Sequence, residues 1–278
     1  LFVFCIQINS FNLKNKSLAY SLDTYSSIIP FTGDPDIHKR LLFVDIDEES
    51  LSKLGQWPWP RFIFADIMQK IKSGQPSVVG IDVLLTETDR FNPQILSKIM
   101  KIPIQGIENN FTDGDQVLAN TLIDMPVVLA TSLNKFGKNS FKNSSNIFIK
   151  NNTGINLRTT SGVLSPIDKF NNLMGYGFVN IDSENVDGVV RYLPMLAVYK
   201  DQIIPSFLLE IIRVFEESSN IFISKSDIFF SNTNLNTGFI SLPIQPNGNF
   251  ILHHGNSDKL NMISAQSILK NQFDLKIF

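Results

Sequence analysis

Three carboxylates carry the chain's best opportunity for chemistry. Asp45 and Asp47 stand two apart at the end of an apolar run, Leu41 to Ile46. They share one face of a strand that stays regular to its end. Asp82 closes a second apolar run, Ser77 to Ile81. In open α/β sheets, ligands collect at the carboxyl ends of strands. Three acids gathered there can hold a divalent cation, or bind an amine or a guanidinium group. A plainer reading ranks ahead of that one. In it Asp45 pairs with Arg61 or Arg191, while Asp47 and Asp82 cap the helices that follow.

Trp57 and Trp59 flank Pro58, and Pro60 and Arg61 follow them. Two indoles so close can wall a ligand or partner site. They can equally anchor a stiff loop over a sheet, and this reading is preferred because the prolines fix the loop. Arg61 is placed to bond backbone carbonyls or a strand-end acid. Arg191 sits among Val189, Val190, Leu193 and Met195, and a partly buried arginine needs a partner. The expectation is therefore that Arg61 or Arg191 contacts an acid at 45, 47 or 82.

The remaining polar clusters carry less. Asp182, Glu184 and Asp187 miss the acid spacing of a calcium hand and read as a polar turn. His253 and His254 lack a third ligand at usable spacing. No nucleophile elbow, zinc-protease helix motif, paired-cysteine motif, phosphate loop or dinucleotide fingerprint occurs. No catalytic residue and no cofactor are assigned. A divalent cation at the acidic cluster is the one cofactor the sequence leaves open.

The elements that must position these residues follow from periodicity. Ser50 to Gly55 is a short helical turn closed by glycine. Pro60 suits a first helical turn, and Phe64, Ile67, Met68 and Ile71 recur at helical spacing up to Gly74. With the runs on either side, this reads as a βαβ unit whose strands, Leu41–Ile46 and Ser77–Ile81, are adjacent and parallel. Helices are expected at Pro93–Lys101 and after Asp113, and a buried strand at Met125–Ala130. Asn134 to Asn156 reads as a surface loop or exposed hairpin. In the second half, Gly175–Asn180 and Val189–Tyr199 read as an antiparallel ribbon around the Asp187-Gly188 turn. Pro205 opens a helix, Ile221–Ile223 and Phe239–Ile244 are short strands, and Ile263–Leu269 is a last helix. The fold class is α/β: a mixed sheet with a parallel βαβ unit near the N-terminus, flanking helices and an antiparallel ribbon in the second half.

Composition narrows the function classes. The chain has 278 residues, 43% hydrophobic and 18% charged, with a net charge of -2. Such a chain buries roughly 70–75% of its unfolded surface and suits one large domain, or two that share a core. The 24 basic and 26 acidic residues leave no excess to neutralise phosphates, which argues against nucleic acid. A single cysteine, Cys5, excludes an internal disulfide framework and a multi-thiolate metal site. Residues 1–17 open on an apolar run that reads as an N-terminal strand, the start of a buried helix, or the outer end of a transmembrane helix and its linker. Residues 18–278 would then be the domain, cut short in its C-terminal strand.

The same residues carry a family pattern. Leu42-Phe43-Val44-Asp45-Ile46-Asp47-Glu48-Glu49-Ser50-Leu51, Leu54-Gly55-Gln56-Trp57-Pro58-Trp59-Pro60-Arg61 and Gly80-Ile81-Asp82-Val83-Leu84 resemble the CHASE2 domain. Asp115–Ala119, Gly175–Asn180, Asp187–Arg191 with Leu193-Pro194, and Pro205-Ser206-Phe207 agree with it in order. Asp23 matches the acidic residue that follows the first membrane helix in such proteins. The chain departs from the family near 250–255, where His253 or His254 stands in place of an aromatic residue.

The resemblance implies an extracytoplasmic sensory module of a bacterial receptor, on the periplasmic or extracellular face of the inner membrane. Flanking membrane helices would join it to a nucleotide cyclase, a histidine kinase or a serine/threonine kinase. The module itself would catalyse nothing. Its partner would be an unknown small molecule or protein signal, and a homodimer is compatible with such a receptor. The rival readings are an enzyme using Asp45, Asp47 and Asp82, and a periplasmic solute-binding protein.

Overall fold

The computed structural model describes residues 20–24, 40–101, 113–134, 141, 145–149, 154–181, 189–225, 233–237, 239–252 and 260–271. The fold is α/β, with several mixed sheets. The central sheet has β3 (Val127–Leu133) in its middle, parallel to β2 (Val79–Ile81) on one side and to β7 (Gly175–Phe178) on the other. β6 (Val163–Leu164) pairs antiparallel with the end of β3. Val127 to Ala130 are fully buried. That explains their unbroken apolar run, since a strand covered on both faces has no polar side to alternate with.

Two helices cover one face, α2 (Arg61–Ser73) and α4 (Gly114–Leu122). Phe64, Ala65 and Met68 of α2 and Leu118, Ala119 and Leu122 of α4 pack with Ile81, Val127, Leu129, Tyr176 and Phe178. The other face belongs to α5 (Phe207–Phe215), capped by Ser206 through its hydroxyl. β7 reads Gly-Tyr-Gly-Phe, and its alternation explains the layering. Tyr176 and Phe178 fill the α2/α4 side, while Gly175 and Gly177 turn to α5. A Cβ on Gly177 would lie 2.5 Å from the backbone of Phe207, so only glycine lets the helix approach.

A second lobe contains β1 (Leu42–Asp45), α1 (Glu48–Leu54), β15 (Asn261–Ser264) and α6 (Ala265–Leu269). β1 pairs in parallel with β15. Leu42, Val44 and Ile263 pack with Trp59, Ile67 and Ile268. Helix α2 therefore sits between two cores, giving Phe64 and Met68 to one and Ile67 to the other.

The third group is an antiparallel ribbon, β11 (Asn220–Lys225), β12 (Thr233–Thr237) and β13 (Ile240–Ile244), joined in parallel by β4 (Asn146–Ile149). Ile221, Ile223, Leu235 and Ile244 bury one side of it against Met195, Leu196 and Leu209.

Two pairings differ from the sequence reading. β1 and β2 lie in separate sheets and are not neighbours. The parallel crossover from β2 instead runs through α3 (Pro93–Met100) and α4 to β3. The physical reason is β15, a four-residue strand that takes the edge of β1 and whose last two residues, Ile263 and Ser264, fall in the span read as the last helix. β7, in turn, pairs with β3 and not with the segment after residue 189. There β8 (Tyr192–Pro194) pairs with β14 (Asn249–Ile251), and β9 (Leu196–Tyr199) with β10 (Gln202–Pro205) and β5 (Thr159–Thr160). The Asp187-Gly188 turn, His253, His254 and residues 1–17 lie outside the described residues.

Candidate ligand site and the ion pairs around it

Arg61 is the first residue of α2 and is only 8% exposed. Pro60 before it offers no side-chain cap. The cap comes from Asp89, whose Oδ2 accepts from the Arg61 amide at 2.9 Å while Oδ1 accepts from the Phe91 amide at 3.0 Å. An acid at a helix N-terminus is stabilised by the unpaired amides and the helix dipole. Asp89 donates its own amide to Asp115 at 2.9 Å, and Arg61 Nε donates to the other oxygen of Asp115 at 3.3 Å. Arg61 Nη2 donates to the carbonyl of Glu87 at 3.3 Å. Gly114 makes room for this knot, since a Cβ there would stand 2.5 Å from Asp89 Oδ2. The starts of α2 and α4 and the segment after β2 are thus tied together by one buried cation and two buried acids.

The knot forms one side of a cavity of about 260 Å³. Trp57, Pro58 and Trp59 form another wall, and Val83 to Phe91 close the rest, with Leu85 excepted. Trp59 is buried and its Nε1 donates to the Gly55 carbonyl at 2.7 Å. Trp57 is half-buried and held edge-on by Trp59, 5.4 Å between centroids, and by Phe64 at 6.2 Å. These edge-to-face contacts fix the ring plane. The indoles thus act both as anchor and as wall.

The acids singled out by sequence lie elsewhere. Asp47 caps α1, accepting from the Ser50 amide at 2.8 Å and from the Ser264 hydroxyl at 3.0 Å. Hydrogen bonds from Ser50, through its side chain and its amide, hold the Asp47 carboxyl below the ordinary aspartate value. Asp45 and Asp82 are exposed, and their side chains make no hydrogen bond or ion pair among the described residues. Asp82 immediately precedes the cavity wall but does not line it. Because β1 and β2 sit in different sheets, their ends do not form one carboxylate cluster. Among the described residues no group of three or more His, Cys, Asp or Glu is placed to hold a metal ion.

Neither arginine contacts residue 45, 47 or 82, contrary to expectation. Arg61 takes Asp115. Arg191, also buried, takes Asp23 with two parallel bonds, Nε to Oδ1 and Nη2 to Oδ2, both 2.8 Å. Asp23 belongs to a short helical stretch, residues 20–24, and its side chain is half exposed. A fork-to-fork pair of this kind fixes orientation as well as proximity. The sequence signalled that Arg191 needed a partner but gave no distance information across 168 positions. Asp89 and Asp115 carried no local signal beyond ordinary turn and cap chemistry.

A family model for the CHASE2 domain matches residues 1–278, and the chain belongs to that family. CHASE2 is a family of extracytoplasmic sensory domains. No curated protein and no solved structure matches the chain. Among the described residues no helix is long and apolar enough to cross a membrane.

Proposed function

We propose that this domain is the signal-input part of a transmembrane receptor and works by changing how the segment around Asp23 sits on the domain body. The observation that carries this reading is the Asp23–Arg191 fork. In the family pattern, Asp23 follows the first membrane helix. A body that grips that segment at two points can pass a change of shape to it. A signal shifts such an equilibrium only as far as it binds one arrangement better than the other, and about 5.5 kcal/mol of difference carries it from 1:99 to 99:1. The output would be a cytoplasmic nucleotide cyclase or kinase, on the far side of the bacterial inner membrane. The dispersal of Asp45, Asp47 and Asp82 removes the motive for the enzyme reading.

The test uses the intact receptor and its own output activity. Asp23→Asn and Arg191→Gln are each expected to change basal output or the response to signal, several-fold, with the receptor still present in the membrane. The reversed pair, Asp23→Arg with Arg191→Asp, is expected to recover part of the loss. Output and response unchanged in both single variants would sink the coupling role.

A further inference from the structure

We infer that the cavity beside Trp57 is a binding site for a small zwitterion of the amino-acid type, carrying an apolar side group. The inference rests on the sensory reading and names the signal that such a domain would receive.

The argument starts with Arg61. Its Nε and Nη2 are taken by Asp115 and the Glu87 carbonyl, but among the described residues no acceptor meets Nη1. A guanidinium this deeply placed normally has its donors satisfied, by protein, water or ligand. Arg61 lines the cavity, so the missing acceptor can come from there. Two opposite charges lie on the same wall. Glu87 and Arg90 are both exposed, both line the cavity and are three residues apart. Neither side chain makes a hydrogen bond or ion pair among the described residues, with the other or with anything else. Asp89, the other acid of the lining, is buried and already accepts a backbone amide on each oxygen, which leaves Glu87 as the exposed carboxylate.

The unengaged polar groups are therefore an N–H donor of Arg61, one carboxylate and one rim guanidinium. They match a ligand whose carboxylate reaches Arg61 Nη1 and whose ammonium meets Glu87, with Arg90 drawing the anionic end inward. The apolar part of the ligand has Trp57 to lie against, with Val83, Leu84 and Phe91 beside it. Ligand sites commonly combine such an apolar lining with a few placed polar groups. About 260 Å³ accommodates a molecule of that size.

The chain supplies its own reporter, because its two tryptophans are Trp57 and Trp59. The experiment titrates the 278-residue chain with L-leucine and L-phenylalanine, following indole fluorescence and heat of binding. Parallel titrations use 4-methylpentanoate, which lacks the amine, and 3-methylbutylamine, which lacks the carboxylate. Saturable binding of an amino acid is expected, with each truncated analogue weaker by about tenfold or more, the scale of one charge-assisted hydrogen bond. Glu87→Gln, an exposed and conservative change, is expected to bring the amino acid down to the level of the des-amino analogue. Arg61→Lys should weaken both carboxylates, and Glu87→Gln keeps the test decisive if that variant does not fold. Three results would each overturn the inference: no saturation by either amino acid at millimolar concentration, equal affinity for the amino acid and its des-amino analogue, or unchanged affinity in Glu87→Gln. Binding is measured without any output domain. Its failure therefore leaves the receptor reading standing, whereas binding with a silent intact receptor strikes that reading alone.

Discussion

Arg213 and Glu210 form the most enclosed ion pair of the described residues, and they show what a buried charge requires. Glu210 is fully buried, and both its oxygens accept from Arg213, at 2.9 and 2.7 Å. The remaining Arg213 donors reach the carbonyls of Ser218 and Met174 at 2.7 and 2.6 Å. Removing one partner strands the other charge away from water. Glu210→Ala is thus expected to lower stability by about 3–5 kcal/mol, read from chemical denaturation. Tyr176 makes a second case at this scale. Its hydroxyl donates to the Phe170 carbonyl and accepts from the Leu173 amide. Burial pushes its pKa up from 10.0 to about 12. The unfolded chain then loses this proton first, so the contribution to stability is full below pH 10 and is lost as pH rises toward 12. A melting-temperature profile should fall across that window, and Tyr176→Phe should flatten the fall while costing stability at neutral pH. The needs of single residues were legible in sequence, as Arg191 shows. Their partners were not, because hydrogen-bond demand is local information and the donor–acceptor match is made by the folded chain.

Elements with both ends marked were the legible ones. Asp47 and Gly55 bound α1, Pro60 and Gly74 bound α2, and Asp113 caps α4, the acids through their side chains and the proline and glycines through their backbone preferences. Strand pairing was less legible. Four residues of β15, Asn-Met-Ile-Ser, carry no alternation strong enough to separate a strand from the first turn of a helix. Missing it moved β1 to the wrong neighbour and gathered Asp45, Asp47 and Asp82 into a cluster that does not exist. The glycines of β7 are the element-scale feature with the sharpest consequence. Gly177→Ala places a methyl 2.5 Å from the Phe207 backbone, where no flexible side chain can yield. The helix must back away from the sheet, and overpacking of this kind costs about 1–3 kcal/mol or more. Gly55→Ala meets no atom within 4 Å and is strained only by its positive φ of 91°. It should cost less than Gly177→Ala, a ranking that thermal unfolding of the two variants checks.

At the scale of the whole molecule, α2 is the shared wall between the central sheet and the β1–β15 lobe, and its first residue also forms the side of the cavity. A ligand that pulls on Arg61 therefore pulls on the end of a helix wedged between two cores. Such an element moves as a unit when it moves at all. The lobe on its outer side has one more property, and it concerns time rather than force. Ser264 bonds to Asp47, 217 positions earlier in the chain, and β15 is the strand that completes β1. While the protein is being made, β1 and Trp59 wait with an apolar face uncovered until almost the last described residues have arrived. The central sheet, whose strands lie within residues 79–178, can assemble long before that. Among the described elements the β1–β15 lobe is then the last to close, and the wall of the cavity that Trp57 and Trp59 provide takes its final seat only once β15 has been made.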